Sequence, residues 1–161
     1  MDELEDFYSA NARLGGVSTL DVESMWAVFR LERTGHEFYV GLAERIDHPE
    51  AAELLRRNGT EELAHARRIL KAIGLTLGEE VEPTEEQLAC HPVPLPDAID
   101  ADLLALVVAG EQQADAGYQA WADQVDDPEV AKLLRLNGRE ETIHAERVAR
   151  AVELMQASAT D

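Results

Sequence analysis

The sequence contains a single cysteine, Cys90, among its 161 residues. One cysteine cannot form an intrachain disulfide, and a metal site built from several thiolates is excluded. Any metal ion bound by this chain must therefore be held by oxygen and nitrogen ligands.

Basic residues and long apolar runs are also scarce. Lys and Arg number 14 against 33 Asp and Glu, and the resulting net charge of −19 repels nucleic acid and anionic lipid while it favours cations. The same acidity could serve solubility alone. No window approaches a membrane span, and the acidic N-terminus lacks the basic and apolar regions of a signal peptide. We therefore expect a cytoplasmic protein that binds neither nucleic acid nor membrane.

Aromatic residues make up only 5% of the chain, whereas charged residues reach 29% and Ala and aliphatic residues are plentiful. This balance is typical of a soluble helical protein rather than a β-sandwich. A length of 161 residues suits one domain with a real core and is short for two.

The chain carries an internal duplication. At an offset of 79 residues, positions 32–72 and 111–151 are identical at 18 of 41 places without a gap, and each copy contains the motif Glu-x-x-His. The matched pairs include Glu32 with Glu111, Tyr39 with Tyr118, Asn58 with Asn137, Glu62 with Glu141, and His65 with His144.

Each copy reads as two helices with a tight connection between them. The stretches DHPE and DDPE place Pro49 and Pro128 at the first helical position after a capping His or Asp. Short loops make the paired helices antiparallel neighbours. The first helix is expected to begin at Ser18 or Thr19, in the capping-box-like STLD, and the second to end at Gly74. The four predicted helices cover about 20–46, 49–73, 98–125 and 128–156.

Residues 75–97 join the two pairs and contain four prolines, so they cannot form a continuous helix. The prediction is an all-α four-helix bundle over residues 20–157, made of two duplicated antiparallel pairs and a long crossover. Residues 1–19 form a separate N-terminal segment, with a possible short helix around ELEDFYSA that docks Phe7 and Tyr8 on the bundle. His48 and His91 fall in connections and are expected to be solvated.

Carboxylates occupy the predicted core positions. Steps of three and four residues along the first and third helices give inward stripes of apolar side chains that include Glu32 and Glu111. In the second and fourth helices a Glu and a His three residues apart can reach one common point. The polar residues of these last two stripes are Asn58, Glu62 and His65 in one helix and Asn137, Glu141 and His144 in the other.

Four buried carboxylates need cations, because without them they would repel one another and become protonated. Two divalent ions balance four carboxylates with neutral imidazoles, and no inward Lys or Arg is predicted. Carboxylates with one imidazole per metal suit iron, with manganese possible, better than a thiolate-seeking ion. The alternative, a buried salt-bridge network, accounts less well for two copies in register.

This set of six resembles the ligands of the ferritin-like di-iron carboxylate superfamily, and its order is similar to that of the rubrerythrin and bacterioferritin branch. The resemblance covers about residues 20–156 and implies a ferritin-like bundle with two iron ions. It implies terminal ligands at Glu32 and Glu111, bridging ligands at Glu62 and Glu141, and one metal each for His65 and His144.

Other residues are less firmly placed by the resemblance. Tyr39 matches a tyrosine of rubrerythrins, and it and Tyr118 either support the site, with a radical-quenching role open to Tyr39, or simply pack in the core. Asn58 and Asn137 either hydrogen-bond around the ligands or lie at a helix crossing. His36 and Asp115, at one repeat position, could hydrogen-bond to the site or to each other.

The chain departs from the rubrerythrin pattern in two ways. It lacks a Cys-rich rubredoxin module, so reductive turnover would need an external electron donor. Val108 stands where rubrerythrins carry an additional Glu, which makes a peroxidase of their particular type doubtful.

The resemblance implies redox chemistry with Fe(II), O₂ or peroxide as partners. The first interpretation is a ferroxidase or a peroxide or oxygen reductase, and the alternatives are iron storage without other turnover and oxygenation of an organic substrate. The apolar stripes predict a packed interior with little room for a large substrate, which weakens the oxygenase interpretation. A homo-oligomer is expected, with a dimer favoured over a storage cage.

Overall fold

The computed structural model describes residues 4–160, and the described chain is all-helical. Six helices follow one another along the chain, and the first three residues of the predicted N-terminal segment lie outside the described part. Their bounds are α1 Phe7–Gly15, α2 Val22–Glu44, α3 Pro49–Leu77, α4 Glu85–Leu88, α5 Ala101–Gln124 and α6 Pro128–Ala159.

The four long helices form the predicted bundle. Helix α2 packs along α3, α5 packs along α6, and the two pairs meet where α3 packs along α6. This arrangement is the ferritin-like four-helix bundle of two duplicated antiparallel pairs with a long crossover, as the repeat and the prolines predict. Across residues 4–160, no helix has the length and apolar character that crossing a membrane requires.

The tight connections confirm the capping pattern read from the repeat. His48 and Asp127 precede Pro49 and Pro128, and each accepts a hydrogen bond from a backbone N–H of the first turn. The acceptor of His48 is Nδ1, 3.2 Å from the backbone nitrogen of Ala51. His48 is therefore a capping residue and is not simply solvated.

Two predicted helix ends were wrong. Helix α2 begins after Asp21, whose side chain accepts from the backbone N–H of Ser24 at 2.7 Å, and not at Ser18 or Thr19. Helix α3 continues through Gly74 to Leu77, because Gly78, with φ of 74°, is the residue that adopts the left-handed conformation of a helix end. Leu75 packs against the core, so continuing the helix buries apolar surface.

The second pair also differs at its ends, since α5 begins after the capping Asp100 and α6 continues to Ala159. The crossover therefore covers 78–100 rather than 75–97, and it contains the short helix α4. Its backbone is anchored by Arg30, which donates to the carbonyl of Ala89 at 2.7 Å. The division of the chain into segments 1–19 and 20–157 stays a prediction.

His91 of the crossover is buried, at 7% exposure, so the expectation of a solvated side chain was wrong. Its backbone N–H donates to the Thr34 hydroxyl, and its Nδ1 lies 2.8 Å from the carbonyl of Glu5. His91 thus ties the segment before α1 to α2, which explains its burial without a functional role.

The N-terminal helix begins slightly further along the chain than expected, because Asp6 is the capping residue of α1. Phe7 docks against the ring of Phe38 with centroids 5.1 Å apart. Tyr8 remains 43% exposed, although its hydroxyl donates to the carbonyl of Pro94 at 2.8 Å. Helix α1 therefore packs against α2 on the outside of the four-helix bundle.

Candidate metal centre

The two Glu-x-x-His motifs meet at the centre of the bundle, where α3 packs along α6. Glu62 and His65 project from α3, Glu141 and His144 project from α6, and all four side chains are buried. Each offers a ligand atom, and these atoms lie within 4.8 Å of one another. The helical spacing of three residues places each pair on one face, as the sequence predicts.

Each central carboxylate presents one oxygen to each imidazole. Glu62 lies with Oε2 3.5 Å from Nδ1 of His65 and Oε1 3.4 Å from Nδ1 of His144. Glu141 lies with Oε1 3.3 Å from Nδ1 of His65 and Oε2 3.1 Å from Nδ1 of His144. The two rings are stacked, with centroids 5.1 Å apart and an interplanar angle of 15°. Bridging carboxylates between two metal ions require this distribution of oxygens.

Three atoms of this cluster fit a bound cation. Within residues 4–160, the buried side-chain atoms without a hydrogen-bond partner are Nδ1 of His65, Nδ1 of His144 and Oε2 of Glu141. Leaving such atoms unpaired in a core costs about 1–3 kcal/mol each. A metal ion would satisfy all three, so the donor set fits a pair of metal ions.

Glu32 and Glu111 lie on the outer sides of this cluster. Glu32 on α2 places Oε2 3.5 Å from Nδ1 of His65. A tyrosine of the opposite helix pair donates to each of them: Tyr118 on α5 to Glu32, and Tyr39 on α2 to Glu111 on α5. Their predicted role as terminal ligands agrees with these positions and stays a prediction.

The carboxylates carry shifted pKa values. Burial, and then the charges of Glu141 and Glu62, raise the pKa of Glu111 well above its ordinary value. Burial and the neighbouring Glu32 raise the pKa of Glu62. Burial and the negative charge of their carboxylate partners raise the pKa values of Tyr39 and Tyr118 well above 10. These shifts show a strongly anionic interior.

The histidines compensate part of this charge when no metal is bound. Burial acts to lower the pKa of His144, but the adjacent carboxylates of Glu141 and Glu62 raise it to about 10. The pKa of His65 is raised in the same way against the effect of burial. Burial acts to raise the pKa of Glu141, yet the adjacent imidazoles of His144 and His65 lower it. Without a metal ion, the surrounding carboxylates therefore favour the protonated form of both imidazoles.

A second carboxylate fixes the other nitrogen of each histidine. Nε2 of His65 lies 2.9 Å from Oε2 of Glu140, and the guanidinium of Arg68 binds both oxygens of Glu140. Nε2 of His144 lies 3.1 Å from Oε2 of Glu61, which is held in turn by Arg147. With Nε2–H donating to a carboxylate, Nδ1 is left to bind metal.

The two asparagines complete these networks. Asn58 donates to the backbone carbonyl of His144 at 3.1 Å, and Asn137 donates to that of His65 at 3.2 Å. Their side-chain oxygens accept from Arg147 and Arg68, respectively. The sequence left two roles open for these asparagines, and the structure shows both. They lie where α3 crosses α6, and they hydrogen-bond to the backbone of the two histidines.

His36 and Asp115 contact neither each other nor the ligand set through hydrogen bonds in the described chain. Nδ1 of His36 lies 2.9 Å from the carbonyl of Gly59, which joins α2 to α3. Asp115 accepts from Thr142 and Gln119, which joins α5 to α6. Both residues therefore clamp the two helices of their own repeat.

The sequence reasoning did not single out four residues around the histidines. Glu61 and Glu140 occupy one repeat position, and Arg68 and Arg147 occupy another. Both copies of the repeat have the same residue at each of these two positions, and this identity could have pointed to them. The expectation that no arginine points inward overlooked Arg68 and Arg147, which are partly buried but pair with Glu140 and Glu61 rather than with the ligand carboxylates.

Residues 102–160 match the family model described as Rubrerythrin. This match lies in the second repeat, and the duplicated Glu and His residues build the matching half of the site from the first. This partial match and the buried Glu and His cluster support a relationship to the ferritin-like di-iron carboxylate superfamily. No curated protein matches the sequence.

This ferritin-like protein has an apolar residue at the point where it departs from rubrerythrins. Val108, one turn before Glu111, packs against the core cluster around Leu104 and Val148. The side chain therefore supplies packing and no additional oxygen ligand.

The expectation of a packed interior with little room for a large substrate does not hold between α2 and α5. A cavity of about 910 Å³ lies between α2 and α5 and reaches Glu32, Glu62, Glu111 and Glu141. Such a volume falls in the range of small-molecule sites. The protein therefore has room for an organic substrate beside these carboxylates.

Proposed function

We propose that this protein binds two iron ions and is a redox protein of the ferroxidase or peroxide- and oxygen-reductase type. Four carboxylates and two neutral imidazoles balance the charge of two divalent ions. Oxygen-rich donor sets with one imidazole per metal suit iron, and manganese is the next candidate.

One observation carries this proposal. The two Nδ1 atoms of His65 and His144 are buried, unpartnered and surrounded by the oxygens of Glu62 and Glu141, and each carboxylate reaches both rings. A network of salt bridges would instead pair these nitrogens with good hydrogen-bond geometry.

The residues have distinct proposed roles. Glu62 and Glu141 would bridge the ions, His65 and His144 would each hold one, and Glu32 and Glu111 would be terminal ligands. A bound pair of Fe(II) ions would supply two electrons to O₂ or peroxide. The hydroxyls of Tyr39 and Tyr118 orient the terminal carboxylates, and the buried walls of α3 and α6 exclude water from the bridging side.

Reductive turnover requires electrons from another molecule. Cys90 is the single cysteine of the sequence, so these residues build no Cys-based electron-transfer centre. We therefore propose an external donor, whereas oxidation of Fe(II) as the substrate itself needs none.

The test is anaerobic loading with Fe(II), followed by rapid mixing with O₂ or with peroxide while absorbance is recorded. We expect two Fe(II) per chain and a fast oxidation phase. Glu62→Ala should lose the fast phase, whereas Glu53→Ala, an exposed carboxylate on the same helix, should retain it. Equal kinetics in the wild-type and Glu62→Ala proteins would refute the assignment.

Oxygenation of an organic substrate is a second candidate, and the cavity beside the carboxylates is the observation that favours it. Product analysis after turnover with O₂ and an external reductant distinguishes the two. Formation of a hydroxylated organic product would favour oxygenation, and consumption of O₂ or peroxide without such a product would favour the first proposal.

A further inference from the structure

Helices α2 and α5 leave an open side of the bundle. Of the four long helices, the pairs α2–α3, α5–α6 and α3–α6 pack along each other, whereas α2 and α5 make no comparable contact in residues 4–160. The cavity of about 910 Å³ fills this gap, and α1 forms part of its wall. The gap lies between the two helices that carry Glu32 and Glu111.

The lining of this cavity is mainly apolar, with neutral polar side chains that include Asn11, Gln113 and Gln124, and its charged groups are all acidic. No Lys, Arg, His or Asp lines it in the described chain, and its acidic residues are the four candidate ligand carboxylates. The apolar walls include Phe7, Leu31, Phe38, Leu103, Val107 and Trp121. An occupant would therefore meet apolar surface along its length and the metal centre at the carboxylates.

Small residues on α5 leave space on that side of the cavity. Gly110 and Gly117 line the cavity on either side of Glu111, and a Cβ at either position would meet no atom within 4 Å. Ala114 lies between them on the same wall. The cavity therefore extends to the backbone of α5 at these glycines. Glycine disfavours a helix, so its presence here is not explained by helix formation.

We propose that the cavity between α2 and α5 is a binding site for a small, neutral, apolar molecule, which it holds against the carboxylates of the metal centre. The proposal concerns binding, so it does not depend on which oxidation the centre performs. Its volume and lining match those of small-molecule sites, which are mainly apolar with a few convergent polar groups.

Charge and shape distinguish this occupant from others. A charged ligand would find no cationic side chain along the mainly apolar walls of the cavity, so its loss of hydration would not be offset there. A second copy of the chain is disfavoured because an isologous interface would place one concave surface against another, and each copy carries a net charge of −19.

Trp121 provides a direct probe of binding. Its indole lines the cavity, and its Nε1–H is anchored to the carbonyl of Val17 at 2.7 Å. The second tryptophan of the chain, Trp26, does not line the cavity and can be removed by Trp26→Phe. Fluorescence of the Trp26→Phe protein, loaded with redox-silent Zn(II), then reports on Trp121 during titration with 1-octanol.

We expect saturable binding of 1-octanol to the Zn(II)-loaded protein. Gly117→Leu should weaken octanol binding at least about tenfold, because its side chain takes up the space of the ligand. Ala116→Leu, an exposed neighbour outside the cavity, should bind within about twofold of the parent protein, since it leaves that space open.

Three results would overturn the proposal. One is a lack of saturable octanol binding in the folded, Zn(II)-loaded protein. Another is equal binding to the Gly117→Leu and Ala116→Leu variants. The third is a dimer, seen by sedimentation, that excludes octanol and dissociates on the Gly117→Leu change, which would identify a second copy as the occupant. Because Zn(II) supports no redox step, each result is independent of the proposed oxidation.

Discussion

Arg68 on α3 reaches across to α6 and holds Glu140 by two hydrogen bonds, of 2.6 and 3.1 Å. The same carboxylate lies 2.9 Å from Nε2 of His65, a candidate ligand on the helix that carries Arg68. The mirror arrangement joins Arg147 and His144 of α6 to Glu61 of α3. The two helices that carry the Glu-x-x-His motifs are therefore joined by two crossed networks, each of which fixes one imidazole.

We predict that Arg68→Ala weakens metal binding without unfolding the protein. Glu140 would lose its two charge-assisted partners and no longer hold the imidazole of His65 in its ligand orientation. Loss of such a supporting group typically costs about 10–100-fold in metal affinity. Competition titration with a chromophoric chelator would measure the loss, which should concern one of the two bound ions.

Arg67→Ala is the matched control, because Arg67 is the exposed neighbour on the same helix. Arg68→Lys should recover only part of the affinity, since an ammonium group cannot bind both oxygens of a carboxylate in a planar fork. Unchanged affinity for both ions in Arg68→Ala would show that the network serves only to join the helices.

The central part of the site could be predicted from the sequence because helical periodicity determines it. Glu62 and His65 are three residues apart on a helix, and their duplicates are Glu141 and His144, so two helix faces necessarily carry the same donors. Electroneutrality then requires cations. Neither step needs knowledge of the packing between helices.

The features that the sequence did not predict depend on a choice between several possible capping residues or on packing between helices. Ser18, Thr19 and Asp21 are all good capping residues, and only the folded chain shows that Asp21 is used. Gly74 and Gly78 are both plausible helix ends, and the packing of Leu75 favours the later one. The cavity arises from the gap between α2 and α5, which no periodic pattern encodes.

Tyr118→Phe should destabilise the metal-free protein by about 1–3 kcal/mol, because it leaves the buried carboxyl of Glu32 without its tyrosine donor. Urea unfolding in the presence of a chelator would measure the change in the free energy of unfolding. Tyr8→Phe is the control, since that partly exposed hydroxyl bonds to the carbonyl of Pro94 and can be replaced by water. Equal effects of the two changes would contradict a special role for the Tyr118–Glu32 pair.

Metal binding at pH 7 should release protons. Without metal, the neighbouring carboxylates raise the pKa of His144 to about 10 and raise that of His65 as well, so these imidazoles hold protons at neutral pH. A metal ion needs their deprotonated forms and displaces those protons. Affinity should therefore fall as the pH falls.

Calorimetric titration with Mn(II) in buffers of different ionisation enthalpy would count the released protons. His144→Ala removes one of the groups with a raised pKa, so its count should be lower than that of the wild-type protein. A heat of binding that is independent of the buffer would contradict the predicted protonation of the metal-free centre.

Metal binding should also stabilise the fold, because a ligand that binds only the folded state shifts unfolding by mass action. At a free metal concentration of 100 times Kd, the gain is about 2.7 kcal/mol per ion. For a chain of this length each kcal/mol raises Tm by about 2–4 °C. Thermal unfolding with Mn(II), followed by addition of a chelator, should show a reversible rise in Tm.

Glu62→Ala should lose most of this metal-dependent rise, since Glu62 presents an oxygen to each of the two imidazoles and its removal affects both ions. Glu53→Ala, which changes an exposed carboxylate of the same helix, should keep the rise. If both variants gained the same increase in Tm with Mn(II), the stabilising ions would be bound at the acidic surface. The buried oxygens and nitrogens between α3 and α6 would then be a proton-filled core, and the two Glu-x-x-His motifs would serve packing.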